Sequence, residues 1–583
     1  MSFIIMTPKL GLPKYGVNRF ETDTRVKVSQ LLAVAIALML FACSNEPPAV
    51  EQSHPNVLLV IADDLGYSDL GIYGGEIETP NIDAVAQDGL VLTNFHANAS
   101  CTPSRAMLLT GIDNHAVGFG ANPGVARRFP EIRGRPGYRG EFAEDIRTLA
   151  QRFNDAGYAT YLSGKWHLGH EPSSWPPARG YERSYYFEHG GASHFADRMG
   201  NLERESPVQY WEDEQPGAEL QSDFFSTTFF TDKLISYIDD GAKSGKPFFA
   251  HLAYTAPHWP LQAPDDWRDK YKNRYDQGWE AIRSKRLARM AEIGLIEDSA
   301  AYSQLPEALG EWSALTKEQQ RYEARRMELY AAMISHLDHE FGRLIQFLKD
   351  VDEYDNTIIV FLSDNGPDGN DILRLRNNAD WIPKTFDLSY ENMGRPGSYV
   401  WLGRGWAHVS ATPLNLYKTF LAEGGVRVPA ILKLPGVGER GTHRQFVSIL
   451  DIAPTLLDAA GVRVESTDAM QGVSHRAALS GLESTSRPTR AVAMEIYGGR
   501  AVFEGHWKLN WAWPPYGDGE WKLFDIESDP GETQDLSEQH PDVVGRLARA
   551  WDEYVETNGV YQADLDFGYG RYPDQTINTE AVE

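Results

Sequence analysis

The chain has 583 residues, of which 42% are hydrophobic and 23% are charged. This composition is typical of a globular protein with a large core, and it excludes a disordered or fibrous chain. The 82 acidic and 55 basic residues give a formal net charge of −27, which argues against sequence-independent binding to nucleic acid or anionic lipid but leaves room for a local cationic pocket.

The N-terminal segment has the pattern of an export signal. Lysine or arginine at positions 9, 14, 19, 25 and 27 precedes an apolar run at residues 31–42. The run fits the roughly 7–15 apolar residues of a signal peptide, whereas a membrane-spanning helix needs roughly 20. The sequence Leu-Phe-Ala-Cys at residues 40–43 resembles a bacterial lipobox, in which the cysteine becomes the lipidated first residue. A polar tether that contains proline follows it, up to residue 53.

These features predict a lipoprotein signal peptide at residues 1–42 and a lipid on Cys43. We expect the mature protein on the periplasmic side of a bacterial membrane, anchored in the outer membrane or else free in the periplasm. Its lipid would be its only link to the membrane. The chain has two cysteines, so a lipidated Cys43 leaves Cys101 without a disulfide partner.

Short apolar runs alternate with amphipathic stretches between residues 54 and 485, which predicts an α/β sandwich. Helices are predicted at 146–156 and Thr316–Lys349, and we expect His336, Asp338 and His339 of the second helix on a solvated face rather than in a metal site. The runs that predict buried strands are Val57–Ala62, Ala159–Ser163, Pro247–Tyr254, Thr357–Leu362 and Val428–Leu434.

A small antiparallel subdomain is predicted after a linker at residues 483–490. Its strand-like segments are Ala491–Ile496, Arg500–Glu504, Trp507–Trp511 and Trp521–Asp525. The predicted organisation is therefore a signal peptide at 1–42, a tether at 43–53, an α/β domain at 54–485, and a C-terminal subdomain with a tail at 486–583.

Polar residues follow two of the predicted strands. Asp63 and Asp64 come directly after the first strand, and Asp364 and Asn365 follow the strand that begins at Thr357. Open α/β sheets bind ligands at the carboxyl ends of their strands. Either pair alone is equally well explained by a turn or a helix cap. Together they supply three carboxylates and an amide oxygen, a set that suits Ca²⁺ or Mg²⁺ rather than zinc.

A second motif contains the remaining cysteine. Residues 101–105 read Cys-Thr-Pro-Ser-Arg, and Leu-Thr-Gly follows at 109–111. This pattern resembles the signature of the sulfatase family, in which the cysteine is oxidised to formylglycine by a formylglycine-generating enzyme or another maturase. The resemblance implies that one hydroxyl of the hydrated aldehyde attacks sulfur to form a covalent sulfo-enzyme. The other hydroxyl then lets the sulfate leave as the carbonyl re-forms.

The resemblance covers about residues 54–560. It includes Gly-Lys-Trp-His-Leu-Gly at 164–169, Ala-Pro-His-Trp-Pro at 256–260, and segment 392–434, which looks like bacterial calcium-dependent arylsulfatases. Segments 505–509, 521–525 and 529–533 are similar to the sulfatase C-terminal subdomain. The implied fold is alkaline phosphatase-like: a large mixed, mostly parallel sheet sandwiched by helices, with a small C-terminal antiparallel α+β subdomain.

The resemblance also implies a metal site. The cation is Ca²⁺, with Mg²⁺ as the alternative. It would orient the diol and the sulfate and lower the pKa of the attacking hydroxyl. The implied ligands are Asp63, Asp64, Cys101 in its oxidised form, Asp364 and Asn365.

The remaining roles concern the sulfate and its protons. By resemblance, Arg105 fixes the formylglycine, and Lys165 and Lys418 bind sulfate oxygens. His258 protonates the leaving oxygen, while His167 helps remove the proton from the diol. His251, inside a strand, is interpreted as structural.

The expected reaction is hydrolysis of a small aryl sulfate monoester to a phenol and inorganic sulfate. Trp401, Trp406 and Tyr417 either line the aryl pocket or belong to the core, and the sequence does not separate the two. The alternatives are a phosphate or phosphonate ester hydrolase of the same superfamily, a sulfatase for alkyl or carbohydrate sulfates, and a glycan-binding lipoprotein without turnover. The complete set of chemically active residues argues against the last, and the acidic surface modestly disfavours polyanionic substrates.

Overall fold

The computed structural model describes residue 16 and residues 54–562, apart from 128, 298–301, 307–308, 375–377, 438–439, 465–468 and 482–489. The predicted signal peptide, Cys43, the tether and the 485/486 domain boundary therefore lie outside the described residues, except for residue 16. The described residues from His54 onward form one compact unit. Within the described part of the chain, no helix is both long and apolar enough to span a bilayer.

Sixteen strands are found among the described residues, and they form one large and two small sheets. They are β1 (Asn56–Ala62), β2 (Leu90–Leu92), β3 (Phe95–His96), β4 (Ala159–Lys165), β5 (Arg183–Phe187), β6 (Tyr210–Glu212), β7 (Gln215–Pro216), β8 (Phe248–Ala253), β9 (Thr357–Ser363), β10 (Ala430–Lys433), β11 (Gly441–His443), β12 (Val447–Ser448), β13 (Val492–Ile496), β14 (Gly499–Glu504), β15 (Trp507–Trp511) and β16 (Trp521–Asp525).

The α-helices of the same described residues range from one turn to more than nine. They are α1 (Pro80–Gln87), α2 (Cys101–Thr110), α3 (Pro123–Ala126), α4 (Leu149–Asp155), α5 (Ser226–Ala242), α6 (Asp265–Arg268), α7 (Gly278–Glu292), α8 (Lys317–Asp350), α9 (Asn378–Thr385), α10 (Arg404–Ser410), α11 (Glu423–Val426), α12 (Ile452–Ala459), α13 (Arg476–Leu479) and α14 (Pro541–Asn558).

The large sheet has ten strands in the order β11-β2-β10-β9-β1-β8-β4-β5-β6-β7. Its five central strands, from β9 to β5, all run parallel. Antiparallel pairs at β9–β10, β10–β2, β5–β6 and β6–β7 make it mixed. The predicted mixed, mostly parallel sheet is therefore confirmed, and the five predicted strands are all members of it.

Both faces of the sheet are covered by helices. Leu58 and Val60 of β1 pack into one core together with residues of α5 and α8. Val57, Leu59 and Ile61 pack into a second core with residues of α2, α4 and α12. Alternate side chains of β1 therefore point into different cores, which is why the strand is a continuous apolar run in the sequence.

The long helix α8 follows its prediction closely, and Thr316 forms a capping box with Gln319 at its N-terminus. The expected solvated face, however, is wrong for His336 and Asp338, which are buried. Asp338 accepts hydrogen bonds from the backbone N–H groups of Asn81 and Ile82 in the first turn of α1. The carboxylate thus caps a neighbouring helix.

The predicted antiparallel subdomain is also confirmed. Strands β13, β14, β15 and β16 form a four-stranded sheet, and α14 packs against it through Leu547 and Trp551. A buried ion network ties this sheet to α11. Lys508 Nζ of β15 lies 2.9 Å from Glu423 Oε1 and 2.8 Å from Glu532 Oε1.

A second buried charge cluster joins the small sheet to the segment after α2. His115 Nε2 lies 2.7 Å from Glu495 Oε2 of β13, and its Nδ1 lies 3.1 Å from Asp113 Oδ1. Burial alone would lower the pKa of His115, but the hydrogen bonds and charges of Asp113 and Glu495 raise the pKa to about 9. The hydroxyl of Tyr554 also contacts the cluster.

We predict that His115→Gln destabilises the protein by about 3–5 kcal/mol at pH 6, because two buried carboxylates lose their cationic partner. The pKa of His115 in the folded protein exceeds the ordinary His value of 6.5. Its positive charge therefore stabilises the fold fully below about pH 6.5, and this stabilisation is lost as the pH rises through 9. Urea unfolding at pH 6 and pH 9.5 measures the difference in free energy of unfolding between wild type and variant. A difference between wild type and variant that stays constant across this range would contradict the assignment.

Candidate active site

The register of the central strands brings the predicted site residues to one edge of the sheet. Ala62 of β1 pairs with Ser363 of β9, so the next residues, Asp63 and Asp364, leave the sheet side by side. Strand β4 ends at Lys165, and the chain after β8 continues to His258. Because these strands are parallel, their carboxyl ends converge.

The motif at residues 101–105 starts helix α2, with Cys101 as its first residue. Pro103 fits the first turn, where its missing N–H has no helical partner. Ser104 Oγ donates to Asn98 O and accepts from Asn98 N, both at 2.9 Å, and so fixes the entry of the chain into the helix. Arg105 lies one turn after Cys101 and faces the same site.

Cys101 contacts the carboxylates directly. Its Sγ lies 3.4 Å from Asp63 Oδ1 and 3.9 Å from Asp64 Oδ1. Lys165 Nζ lies 2.6 Å from Asp63 Oδ2, and Arg105 Nε lies 2.7 Å from Asp364 Oδ2. The thiol is therefore buried among ion pairs.

Asp64 is the centre of a second set of contacts. Lys418 Nζ lies 2.6 and 2.9 Å from the two Asp64 oxygens. Asn365 Nδ2 donates to Asp64 Oδ1 at 2.7 Å, and His258 Nε2 lies 3.6 Å from Asp64 Oδ2. All ten predicted site residues within the described chain are thus brought to this region, with His167 on the wall of the same pocket as Cys101.

Several backbone positions at the site are strained or crowded. Asp64 and His167 have φ angles of 67° and 59°, in the left-handed region that L-residues rarely adopt. Gly164 has φ 123°, and a Cβ there would lie 1.9 Å from Ala253 O. The glycine before Lys165 is therefore required by the close approach of β4 to the end of β8.

Sequence reasoning missed one buried acid. Asp368 Oδ2 lies 3.6 Å from Lys418 Nζ and accepts a hydrogen bond of 2.9 Å from Trp259 Nε1. The sequence signal that could have identified Asp368 is its position four residues after Asp364.

Negative charge is concentrated in this site. Four buried carboxylates, Asp63, Asp64, Asp364 and Asp368, face three cations, Arg105, Lys165 and Lys418. Burial opposes ionisation of Asp63, but Lys165, His258 and Arg105 hold its pKa below the usual range. For Asp64, burial and the charges of Asp63, Asp368 and Asp364 outweigh Lys418 and raise the pKa to about 8. Burial and Asp63 likewise raise the pKa of Asp364.

The donor set fits a hard divalent cation. Ligand atoms of Asp63, Asp64, Cys101 and His258 all lie within 4.8 Å of one another. Asn365 Oδ1 is buried and has no hydrogen-bond partner among the described residues. Crowded carboxylate oxygens and an unpartnered amide oxygen are the environment that Ca²⁺ or Mg²⁺ stabilises.

The two histidines of the site differ in exposure, because His258 is buried and His167 is half-buried. Burial lowers the pKa of His258 well below its usual value, although Asp63 opposes this. His258 Nδ1 lies 2.6 Å from Trp259 O. Because a carbonyl oxygen can only accept, Nδ1 carries the hydrogen and is the donor of this hydrogen bond. The Nε2 lone pair then points into the site. His251, outside the site, contacts the Tyr181 hydroxyl at 2.9 Å, in keeping with its structural interpretation.

An open pocket leads to Cys101, His167, His258 and Lys418. Trp259 lines it, whereas Trp401, Trp406 and Tyr417 are buried and are not among its lining residues, which favours the core interpretation for these three. The sequence analysis did not identify the outer wall. It comprises residues of segments 122–127, 189–190 and 201–205, together with His170.

Comparisons with known proteins agree with this site. The sulfatase family model matches residues 55–462, and the model of the N-sulphoglucosamine sulphohydrolase C-terminal region matches residues 415–554. The chain is 37% identical to an uncharacterized sulfatase of Schizosaccharomyces pombe over 89% of its own length and 96% of the relative's. It is 38% identical to an arylsulfatase of Klebsiella aerogenes over 74% and 91% of the two chains.

A solved structure extends the likeness to the fold. Ps i-CgsB in complex with k-i-k-neocarrahexaose superimposes with a TM-score of 0.64 at 25% identity, covering 88% of this chain and 94% of that one. The family match spans more than half of the chain and includes every motif at the carboxyl edge of the sheet. The protein therefore belongs to the sulfatase family, and it is a sulfuric ester hydrolase.

Proposed function

We propose that the enzyme hydrolyses small aryl sulfate monoesters to a phenol and sulfate, with a formylglycine derived from Cys101 as its nucleophile. The observation that carries the proposal is the position of Cys101 at the inner end of the pocket, 3.4 Å from Asp63. Burial and the charge of Asp63 raise the pKa of its thiol. A thiol that stays protonated at neutral pH is a poor nucleophile, which supports assigning the attack to an oxidised form of this residue rather than to the thiol itself.

Hydrated formylglycine would supply one hydroxyl for attack at sulfur and another for release of sulfate. Lys165 pairs with Asp63 and Lys418 with Asp64, and both of these acids contact the Cys101 side chain. The charges of the two lysines therefore suit the oxygens of a sulfate bound beside Cys101. Arg105 holds Asp364 and donates to Lys165 O at 3.2 Å, so it keeps the nucleophile helix against the strands.

The two histidines suit proton transfer. His258 directs Nε2 into the pocket, and a bound sulfate anion beside it would raise its pKa and favour the protonated form that a leaving oxygen needs. His167 lines the pocket near Cys101, and its Nδ1 is buried without a hydrogen-bond partner among the described residues. We assign it to removal of the diol proton.

Asp63, Asp64, Asp364, Asn365 and the oxidised Cys101 would hold Ca²⁺ or Mg²⁺. The bound cation would lower the pKa of the attacking hydroxyl and balance sulfate charge.

We predict that Ca²⁺ raises the melting temperature of chelator-treated protein by about 2–3 °C at a hundredfold excess over its dissociation constant. Asp364→Ala should abolish this shift and lower activity by orders of magnitude. Asp380→Ala, whose side chain is 87% exposed, is the matched control and should behave like wild type. Full activity after exhaustive chelation would contradict the metal assignment.

The mixed polar and apolar residues that line the pocket are compatible with both aryl and carbohydrate sulfates. The arylsulfatase relative supports an aryl substrate. The polar side chains of Asn122, Asn201, His170 and His189 on the pocket wall, and the oligosaccharide in the related structure, favour a carbohydrate sulfate as the second candidate.

A matched substrate panel tests the proposal. We expect kcat/KM for hydrolysis of 4-nitrophenyl sulfate to be at least tenfold higher than kcat/KM for each of the other substrates. These are 4-nitrophenyl phosphate, phenylphosphonate esters and N-acetylglucosamine 6-sulfate. Cys101→Ala controls for contaminating activity. A preference for the sugar sulfate would establish the second candidate, and a preference for phosphorus esters would contradict sulfatase specificity.

We further propose that the protein is exported, lipidated at Cys43 and modified at Cys101 by a formylglycine-generating enzyme or maturase. The apolar run at 31–42 and the lipobox-like sequence support the anchor. Cell fractionation of wild type and Cys43→Ser tests it, because only the wild type should sediment with membranes.

A further inference from the structure

Two arginines stand on the outer wall of the pocket that ends at Cys101. Arg127 follows helix α3, and Arg204 lies in the turn of segment 203–205. The Arg204 side chain is 41% exposed and lies 3.2 Å from Glu205 Oε1. Among the residues that the structure describes, no carboxylate comes within 4.0 Å of the Arg127 guanidinium.

The two positive charges influence each other. Burial, followed by the charge of Arg204, lowers the pKa of Arg127, while the charges of Glu205 and Glu141 oppose this. Like charges at a pocket wall raise the free energy of the empty site, and an anion between them would lower it. Arginine is also the residue best suited to planar carboxylate and sulfate groups, because its donors form a fork.

The pair faces one carboxylate among the residues that line the pocket, Glu205, which binds Arg204. The location of the pair connects it to the reaction, because Arg127 and Arg204 line the same pocket as Cys101, His258 and Lys418. An anionic group at the wall would therefore belong to the molecule whose sulfate reaches the inner end.

We propose that Arg127 and Arg204 form a subsite for a second anionic group on the leaving portion of the substrate, a carboxylate or a further sulfate. The inference rests on the proposed hydrolysis of sulfate esters at this pocket and narrows its substrate class. Substrates then carry two negative charges at opposite ends: the scissile sulfate at the inner end and another anion at the wall. The acidic remainder of the surface still repels long polyanions.

Binding of reaction products tests the subsite without turnover. Isothermal titration calorimetry compares 4-hydroxybenzoate with 4-hydroxybenzamide, which has nearly the same shape but no charge. We expect wild type to bind the carboxylate at least tenfold more tightly. Arg127→Gln and Arg204→Gln should reduce that preference to less than threefold without weakening the amide, and Arg127→Lys should retain part of it.

Arg549→Gln, at an exposed position of α14, is the control and should keep the full preference. Higher salt should reduce the preference in wild type, since charges near the solvent are screened. Equal affinity for the two ligands in wild type would overturn the proposal. So would a preference that both glutamine variants leave intact, with circular dichroism confirming that they are folded.

A kinetic comparison separates this inference from the proposed function. The ratio of kcat/KM for 4-carboxyphenyl sulfate to that for 4-carbamoylphenyl sulfate should fall at least fivefold in Arg127→Gln, with the neutral ester little changed. If neither ester is hydrolysed while the carboxylate preference in binding persists, the aryl sulfate function fails and the subsite is supported. If both are hydrolysed with equal efficiency in wild type and variant, the subsite fails and the function is supported.

Discussion

The crowding of buried carboxylates at the edge of the sheet is the constraint on which the site depends. Asp63, Asp64 and Asp364 are brought together because β1 and β9 are parallel neighbours in register. Their repulsion is offset by Arg105, Lys165 and Lys418, each from a different part of the chain. A bound divalent cation would favour ionisation of all four buried carboxyl groups, and with the three cationic side chains it would set five positive charges against four negative ones. A site with that balance suits an anionic ester.

The position of Cys101 in this site depends in turn on contacts with the rest of the fold. Cys101 contributes through the start of α2, and the small C-terminal sheet supports both ends of this helix. Tyr497 Oη lies 3.1 Å from Ser100 Oγ, just before the helix, and Glu495 binds His115 beyond it. The C-terminal subdomain thus takes part in positioning Cys101, although it supplies none of the ten predicted site residues.

Much of this could be predicted from the sequence because local signals were strong. Strands that are buried on both faces are continuous apolar runs in the sequence, such as Val57–Ala62, and are therefore easy to recognise. The residues that follow their carboxyl ends lie at the site. The pocket wall could not be predicted, because Arg127 and Arg204 come from irregular segments whose proximity depends on tertiary packing. The burial of His336 and Asp338 also escaped prediction, since α8 packs on more of its circumference than its periodicity indicates. The sequence also could not decide whether Trp406 lies in the core or in the pocket, because an aromatic residue has the same local pattern in both places.

The central claim is that this buried cysteine becomes the nucleophile only after oxidation. The most direct measurement is mass spectrometry of the peptide that ends at Arg105, with the specific activity of the same preparations made with and without a formylglycine-generating enzyme. The account predicts that activity rises in proportion to the fraction of Cys101 converted to the aldehyde. An active preparation whose Cys101 is entirely unmodified thiol would contradict it.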